Sequence, residues 1–284
     1  PLVKQKIICI HHLSEPWHTR RLTELTLRRG TRLLAMSKAT KATLINHWQR
    51  DSSRISVCYQ GVDPRYQQWC AFSPHYVNLR AFILMVGAEY PRKNLKRVLH
   101  AFKELLSYYP ELFLIKVGPA LDEQERRYNN ALITALGLEH RVIFIRRHVS
   151  YEELQQWYHQ ALFLLLASTM EGFGRPVVEA MQSGCAVLCS DTPALREITG
   201  NKTPLVDPFD CSSLVEGMRR LVANREHRMQ LRLFGILFAA RYQWTHFVSE
   251  LTPLVMNPET SDSQRLGHQQ RKYGSQEEKT RERT

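Results

Sequence analysis

Residues 81–118, AFILMVGAEYPRKNLKRVLHAFKELLSYYPELFLIKVG, decide the fold. The segment opens and closes on apolar runs of strand length, each ending in a glycine, Gly87 and Gly118. Between them Leu95, Val98, Leu99, Phe102, Leu105 and Leu106 recur at helical spacing, so one face of a helix is apolar. Neither run alternates apolar with polar residues. A strand of that kind is covered on both faces, which is the habit of parallel sheets.

Outward from this unit the same alternation continues. The runs RVIFI (141–145), LFLLLAS (162–168) and CAVLCS (185–190) are strand-sized. Helical patterns separate them: DEQERRYNNALITALG, YEELQQWYHQA and PVVEAMQSG. Strands alternating with helices predict an α/β fold, a Rossmann-like parallel sheet with helices on both faces, over residues 81–241. Residues 1–80 repeat the alternation with KIICI, TRLLAM and ISVCY as strands. Two or three strands are too few for a complete sheet, so 1–80 reads as part of a second Rossmann-like domain whose beginning is missing. Residues 242–256 are expected to form a last helix crossing between the domains. The stretch 257–284 has almost no apolar residues and is expected to be a disordered tail.

Composition excludes several classes. With 43% hydrophobic and 23% charged residues among 284, the chain can bury an ordinary globular core. No apolar run approaches the roughly 20 residues a membrane span needs. The six cysteines form no C-x-x-C unit, so neither zinc nor a disulfide framework is expected, and the chain reads as a reduced, cytoplasmic protein. It begins at Pro1, not at a methionine, which suggests that this is not the natural start. Residues 1–80 carry 13 Lys and Arg against 4 Asp and Glu, while the rest of the chain is nearly balanced. That basic segment suits an anionic membrane surface or a phosphorylated substrate; no nucleic-acid motif accompanies it, and no nucleic-acid partner is expected.

Ligands of open parallel sheets bind beyond the carboxyl ends of the strands. Four polar features fall there: Gly87 with Arg92 and Lys93, Gly118, Arg146-Arg147-His148, and EGFGRPVVEAM (171–181). Singly each has a plain explanation, as a turn or a solvated charge. Together they set cations and glycines along one rim, an arrangement suited to a diphosphate. In the fourth feature, Pro176 suits a first helical turn, and Gly172 and Gly174 let backbone approach a ligand. Glu179, one turn into that helix, can accept hydrogen bonds from vicinal hydroxyls, and Glu171 from a second polyol. The plainer account is an acidic charge favoured near a helix start.

EGFGRPVVEAM closely resembles the Glu–seven residues–Glu signature of retaining family 4 glycosyltransferases (glycosyl transferase group 1). SKATKATLIN, ISVCYQGVD, VGAEYPRKNLKRVLHAF, LIKVGP, VSYEELQQWY, REITG and RYQWTHF resemble further family phrases in order, over roughly residues 6–256. The resemblance implies the B-type glycosyltransferase fold, two Rossmann-like domains with the active site between them. It implies transfer of a sugar from a nucleotide-diphosphate sugar to a hydroxyl acceptor with retention, in polysaccharide or glycolipid synthesis. Glu179 would hold the nucleotide ribose. Glu171, with the backbone of Phe173 and Gly174, would hold the donor sugar, and Lys93 with Arg92 would neutralise the diphosphate. His11 resembles a cleft histidine of the N-terminal domain. The donor would be GDP- or UDP-linked, GAEYPRKN resembling users of GDP-mannose-like donors, and no metal or other cofactor is implied. The implied partners are this nucleotide sugar and a sugar, polysaccharide or lipid-linked acceptor, met in the cytoplasm or at the cytoplasmic face of a membrane. A non-catalytic nucleotide-sugar-binding remnant is the alternative.

Overall fold

The computed structural model describes residues 7–10, 32–67 and 81–256. His11, the helix expected between KIICI and TRLLAM, and the tail 257–284 lie outside the described residues.

Two parallel sheets are present. The smaller contains β1 (Ile7–Ile10), β2 (Arg32–Ala35) and β3 (Ile55–Val57), in that order, with helix α1 (Lys38–Asn46) between the last two. The larger is built from β4 (Phe82–Val86), β5 (Phe113–Val117), β6 (Val142–Ile145), β7 (Phe163–Leu166), β8 (Val187–Ser190) and β9 (Leu205–Val206). Its connecting helices are α2 (Leu95–Leu105), α3 (Glu123–Leu136), α4 (Tyr151–Gln160), α5 (Arg175–Gln182) and α6 (Pro193–Ile198). Three more follow: α7 (Cys211–Ala223), α8 (Arg225–Ala239) and α9 (Trp244–Met256).

The larger sheet runs β6-β5-β4-β7-β8-β9, and every pair is parallel. Numbered from β4 this is the doubly wound order 3-2-1-4-5-6, and it reverses direction between β4 and β7. Loops leaving those two strands diverge to opposite faces of the sheet, so a crevice opens at their carboxyl ends. The rim phrases that follow Val86 and Leu166 therefore meet at one place.

Both faces of this sheet are dry. Leu84, Ile115, Leu164 and Val187 pack on one side against Trp157, Tyr158, Val177 and Met181. Their strand neighbours Ile83, Leu114, Leu165 and Leu188 pack on the other against Val98, Phe102, Leu214 and Met218. This is why the strands read as unbroken apolar runs. In the smaller unit Leu33, Ala35, Leu44 and Ile55 form a core of their own, while Leu34 and Met36 join the core of the larger unit. Helix α9 and the residues leading into it close the seam: Val62 N–H donates to the Tyr242 carbonyl at 3.0 Å, and the Cys58 thiol meets the Phe247 carbonyl at 3.5 Å. Cys185 and Cys189 are fully buried free thiols, pushed up to about 12 by that burial.

Candidate active site

The first wall of the crevice is the loop after β4. Pro91–Lys93 form one turn of 3-10 helix, and Asn94 follows in the left-handed region at φ 60°, ψ 30°. Asn94 tolerates this better than most residues because its short polar side chain can bond locally. Its Nδ2 donates to the carbonyl of Ala167 at 3.1 Å and to that of Pro208 at 2.7 Å. The Arg92 carbonyl accepts Thr169 N–H at 2.9 Å. The loop is thereby strapped across the ends of β7 and β9, and Lys93 is turned inward, 8% exposed.

The second wall is the loop after β7. Glu171 Oε1 accepts Lys93 Nζ at 2.6 Å and Arg92 Nη1 at 3.3 Å. Two cations from one strand end and a carboxylate from the next thus meet at the reversal point. A desolvated pair of this sort contributes little net stability while intact, but losing one partner typically costs roughly 3–5 kcal/mol.

Beyond Glu171 the chain turns through Gly174 at φ 95° and enters α5. A Cβ at Gly174 would lie 2.6 Å from Leu195 Cδ2, so both backbone conformation and packing require glycine. The Phe173 ring is buried edge-on to Tyr242, leaving its backbone at the turn. Glu179 is buried at 5% exposure; its Oε2 accepts the Tyr158 hydroxyl at 3.0 Å and its Oε1 pairs with Arg175 Nε at 3.0 Å. Burial raises the Glu179 carboxyl above the ordinary carboxylate range, against the opposing pull of Arg175 and Tyr158. The Tyr158 hydroxyl is raised well above its usual value, first by burial and then by Glu179.

The two glutamates address different spaces. Glu179 lines a cavity of about 310 Å³ with Gly87, Tyr66, His148 and Arg175. Glu171 and Gly172 line a larger one of about 1060 Å³ with Thr40 and Trp48 from the smaller unit and with Phe209.

Other rim residues are engaged within the fold. Arg146 does not present a free cation: its Nε and Nη2 donate to Glu89 at 2.7 and 3.2 Å, and it stacks on Phe144. Arg147 is held by Glu153 at 2.5 and 2.7 Å. The amides of Gly87 and Gly118 donate to Val117 and Ile145, continuing the strand ladder. Gly118, at φ 127°, has a packing reason, because a Cβ there would sit 2.3 Å from the Gly87 carbonyl oxygen. A Cβ on Gly87 would make only ordinary contact with Lys93 Cε at 3.4 Å, so what favours glycine there is the backbone, at φ 126°.

Several residues escaped the sequence reading. Glu89 is buried beneath the rim, bonded by Arg146 and by Asn129 at 2.7 Å. Lys116, next to the carboxyl end of β5, is 1% exposed, and its Nζ donates to the Gly87 carbonyl. Burial draws this ammonium down to about 8, with Glu89 opposing. A charge inside the otherwise apolar run LFLIKVG was a visible signal. Arg175 was visible too, four residues before Glu179 on the same helix face. Among the described residues no group of three or more His, Cys, Asp or Glu could hold a metal ion. Among them no helix is long and apolar enough to cross a membrane.

Comparison with known proteins agrees with this architecture. Residues 77–236 match the family described as "Glycosyl transferases group 1". An O-antigen chain mannosyltransferase, RfbU of Salmonella typhimurium, is 26% identical over 238 residues, which cover 78% of this chain and 62% of that protein. A D-inositol 3-phosphate glycosyltransferase of Nocardioides is 28% identical over 232 residues, covering 75% of this chain and 51% of the relative. The chain thus spans between half and two thirds of the length of these relatives. Among solved structures, sucrose-phosphate synthase from Thermosynechococcus elongatus superposes with a TM-score of 0.77 at 22% identity, over 88% of this chain and 66% of that one. HepE of Anabaena, solved in complex with UDP and glucose, gives 0.76 at 20% identity, over 88% and 71%.

Proposed function

Since the chain belongs to the group 1 glycosyl transferases, we propose that it moves a hexose, mannose first among the candidates, from a nucleotide-diphosphate sugar to a hydroxyl acceptor with retention, in polysaccharide or glycolipid synthesis. The observation that carries the reading is the convergence of Lys93, Arg92 and Glu171 at the sheet's reversal point, with buried Glu179 one helical turn away. Mannosyltransferase relatives and a fold neighbour solved with UDP and glucose support it.

In this reading Glu179 and its cavity take the nucleoside, the ribose hydroxyls bonding to the carboxylate. The diphosphate lies against Lys93 and Arg92. Breaking the bond between the sugar's anomeric carbon and the β-phosphate oxygen puts negative charge on that phosphate. Cations already held in place stabilise the charge without reorganising. Glu171 is the counterion that holds them aligned before the donor arrives, and its carboxylate borders the space where the sugar would sit. Transfer on the same face, with the departing phosphate accepting the acceptor hydroxyl's proton, gives retention. No metal is required, because the lysine and arginine supply the positive charge.

The test separates the two glutamates. Calorimetry with UDP, GDP, UDP-glucose and GDP-mannose should show Glu179→Ala weakening bare nucleotide and nucleotide sugar alike, by roughly 1.5–3 kcal/mol. Glu171→Ala frees Lys93 and Arg92 from their counterion, so bare nucleotide should bind as well or better, while sugar transfer falls. Unchanged nucleotide binding in Glu179→Ala would sink the nucleoside assignment. Parallel losses in both variants would reduce the pair to supports of the helix start.

A further inference from the structure

The peptide that joins Gly172 to Phe173, one residue beyond Glu171, is gripped from the other side of the seam. The Gly172 carbonyl accepts the Ser37 hydroxyl at 2.6 Å and the Thr40 hydroxyl at 2.9 Å, and all of these groups are buried. A carbonyl oxygen has two lone pairs, and both are taken by hydroxyls of the smaller unit.

Those hydroxyls stand at the start of α1, which is itself held by the larger unit. Ser37 is the N-cap, its Oγ accepting Thr40 N–H at 3.0 Å. The two preceding amides, Lys38 and Ala39, donate to Glu197 Oε1 and Oε2 at 2.8 and 2.9 Å. Tyr59 donates its hydroxyl to Glu197 Oε1 at 2.6 Å. A carboxylate on the positive end of a helix is favourable, and here it arrives from α6 of the larger unit. The result is a reciprocal clasp. The larger unit caps the helix, and the helix start holds the loop that carries Glu171.

We propose that Ser37 and Thr40 are positioning residues for sugar transfer: by fixing the Gly172 peptide across the seam they aim the Glu171 carboxylate. The proposal rests on the reading of Glu171 as facing the donor sugar. Capping alone would need only the Ser37 oxygen on Thr40 N–H. The second hydroxyl and the shared carbonyl have no part in capping, and they act one peptide bond from Glu171. A displacement of about 1 Å at a reacting group can lower a rate by about a hundredfold. The same clasp makes the donor site dependent on how the two units are docked.

The test uses the whole natural protein with Ser37→Ala, Thr40→Val and the double variant, and Ser37→Thr as the conservative control. Initial rates with UDP-glucose and GDP-mannose give kcat and KM, calorimetry with UDP and GDP gives nucleotide affinity, and amide exchange is followed over residues 170–174. The double variant should lose at least about tenfold in kcat, with donor KM and nucleotide Kd within about twofold of the parent. Ser37→Thr should keep kcat, and exchange should quicken at 170–174 without spreading to α2. An unchanged kcat overturns the proposal, as does a loss of kcat accompanied by equal loss of nucleotide affinity and loosening throughout. Should the parent neither bind nor use these donors, the functional reading fails and the exchange arm decides alone. Quickening confined to 170–174 then supports the clasp, and unchanged exchange overturns it.

Discussion

At Glu179 binding and stability pull in opposite directions. Its carboxyl is raised by burial, so the folded chain holds that proton to higher pH than the unfolded chain does. Stability from this group is present below the ordinary carboxylate value and is lost as pH rises through the folded one. At neutral pH the buried carboxylate is therefore a liability, which its proposed grip on ribose hydroxyls explains. Glu179→Gln keeps the shape and an acceptor for the Tyr158 hydroxyl but removes the charge. Melting followed by circular dichroism should show this variant at least as stable as the parent near neutrality, the difference vanishing toward about pH 4. A melting point that drops at neutral pH would mean that the Arg175 pair outweighs burial.

Among the elements, the loop joining β4 to α2 sets the site more than any helix does. Its anchor is Asn94, whose side chain bridges the ends of β7 and β9 while its backbone is left-handed. Asn94→Gly should lose the two buried hydrogen bonds, roughly 1–3 kcal/mol in urea unfolding. Asn94→Ala should lose those and suffer further strain at positive φ, an added cost of up to about 1 kcal/mol. Equal losses in the two variants would show that the left-handed backbone carries no strain here. Neither effect is legible from PRKN as a string, because the two carbonyls that Asn94 binds lie 73 and 114 residues away.

For the whole molecule the distribution of charge is the dominant asymmetry. Residues 1–80 carry a net +9, and the remainder is close to neutral. We propose that this end meets an anionic membrane, where lipid-linked acceptors are found and each Lys or Arg near the surface contributes about 1 kcal/mol. Sedimentation with phosphatidylserine-containing vesicles at low salt should carry the protein down, and raising the salt or using pure phosphatidylcholine should release it. Failure to sediment under the first condition would leave the charge as a solvated face.

The chain's own pattern determined the sheet. Apolar runs without alternation, separated by amphipathic stretches, encode burial on both faces, and burial is a local property that each segment reports for itself. It determined the spacing of Glu171 and Glu179 too, because eight residues across a turn and a helix start leave little freedom. Which charges meet was decided only by the fold. Lys93 reaches Glu171 because β4 and β7 are neighbours in the sheet, a fact of strand order that a separation of 78 positions in the chain does not show. The same ordering hands Arg146 to Glu89 and so removes it from the expected row of rim cations. It also brings Ser37 and Thr40 to Gly172 across the seam. Ion pairs and buried hydrogen bonds depend on distances of a few ångströms between segments remote in sequence, and such distances exist only once the strands have taken their places.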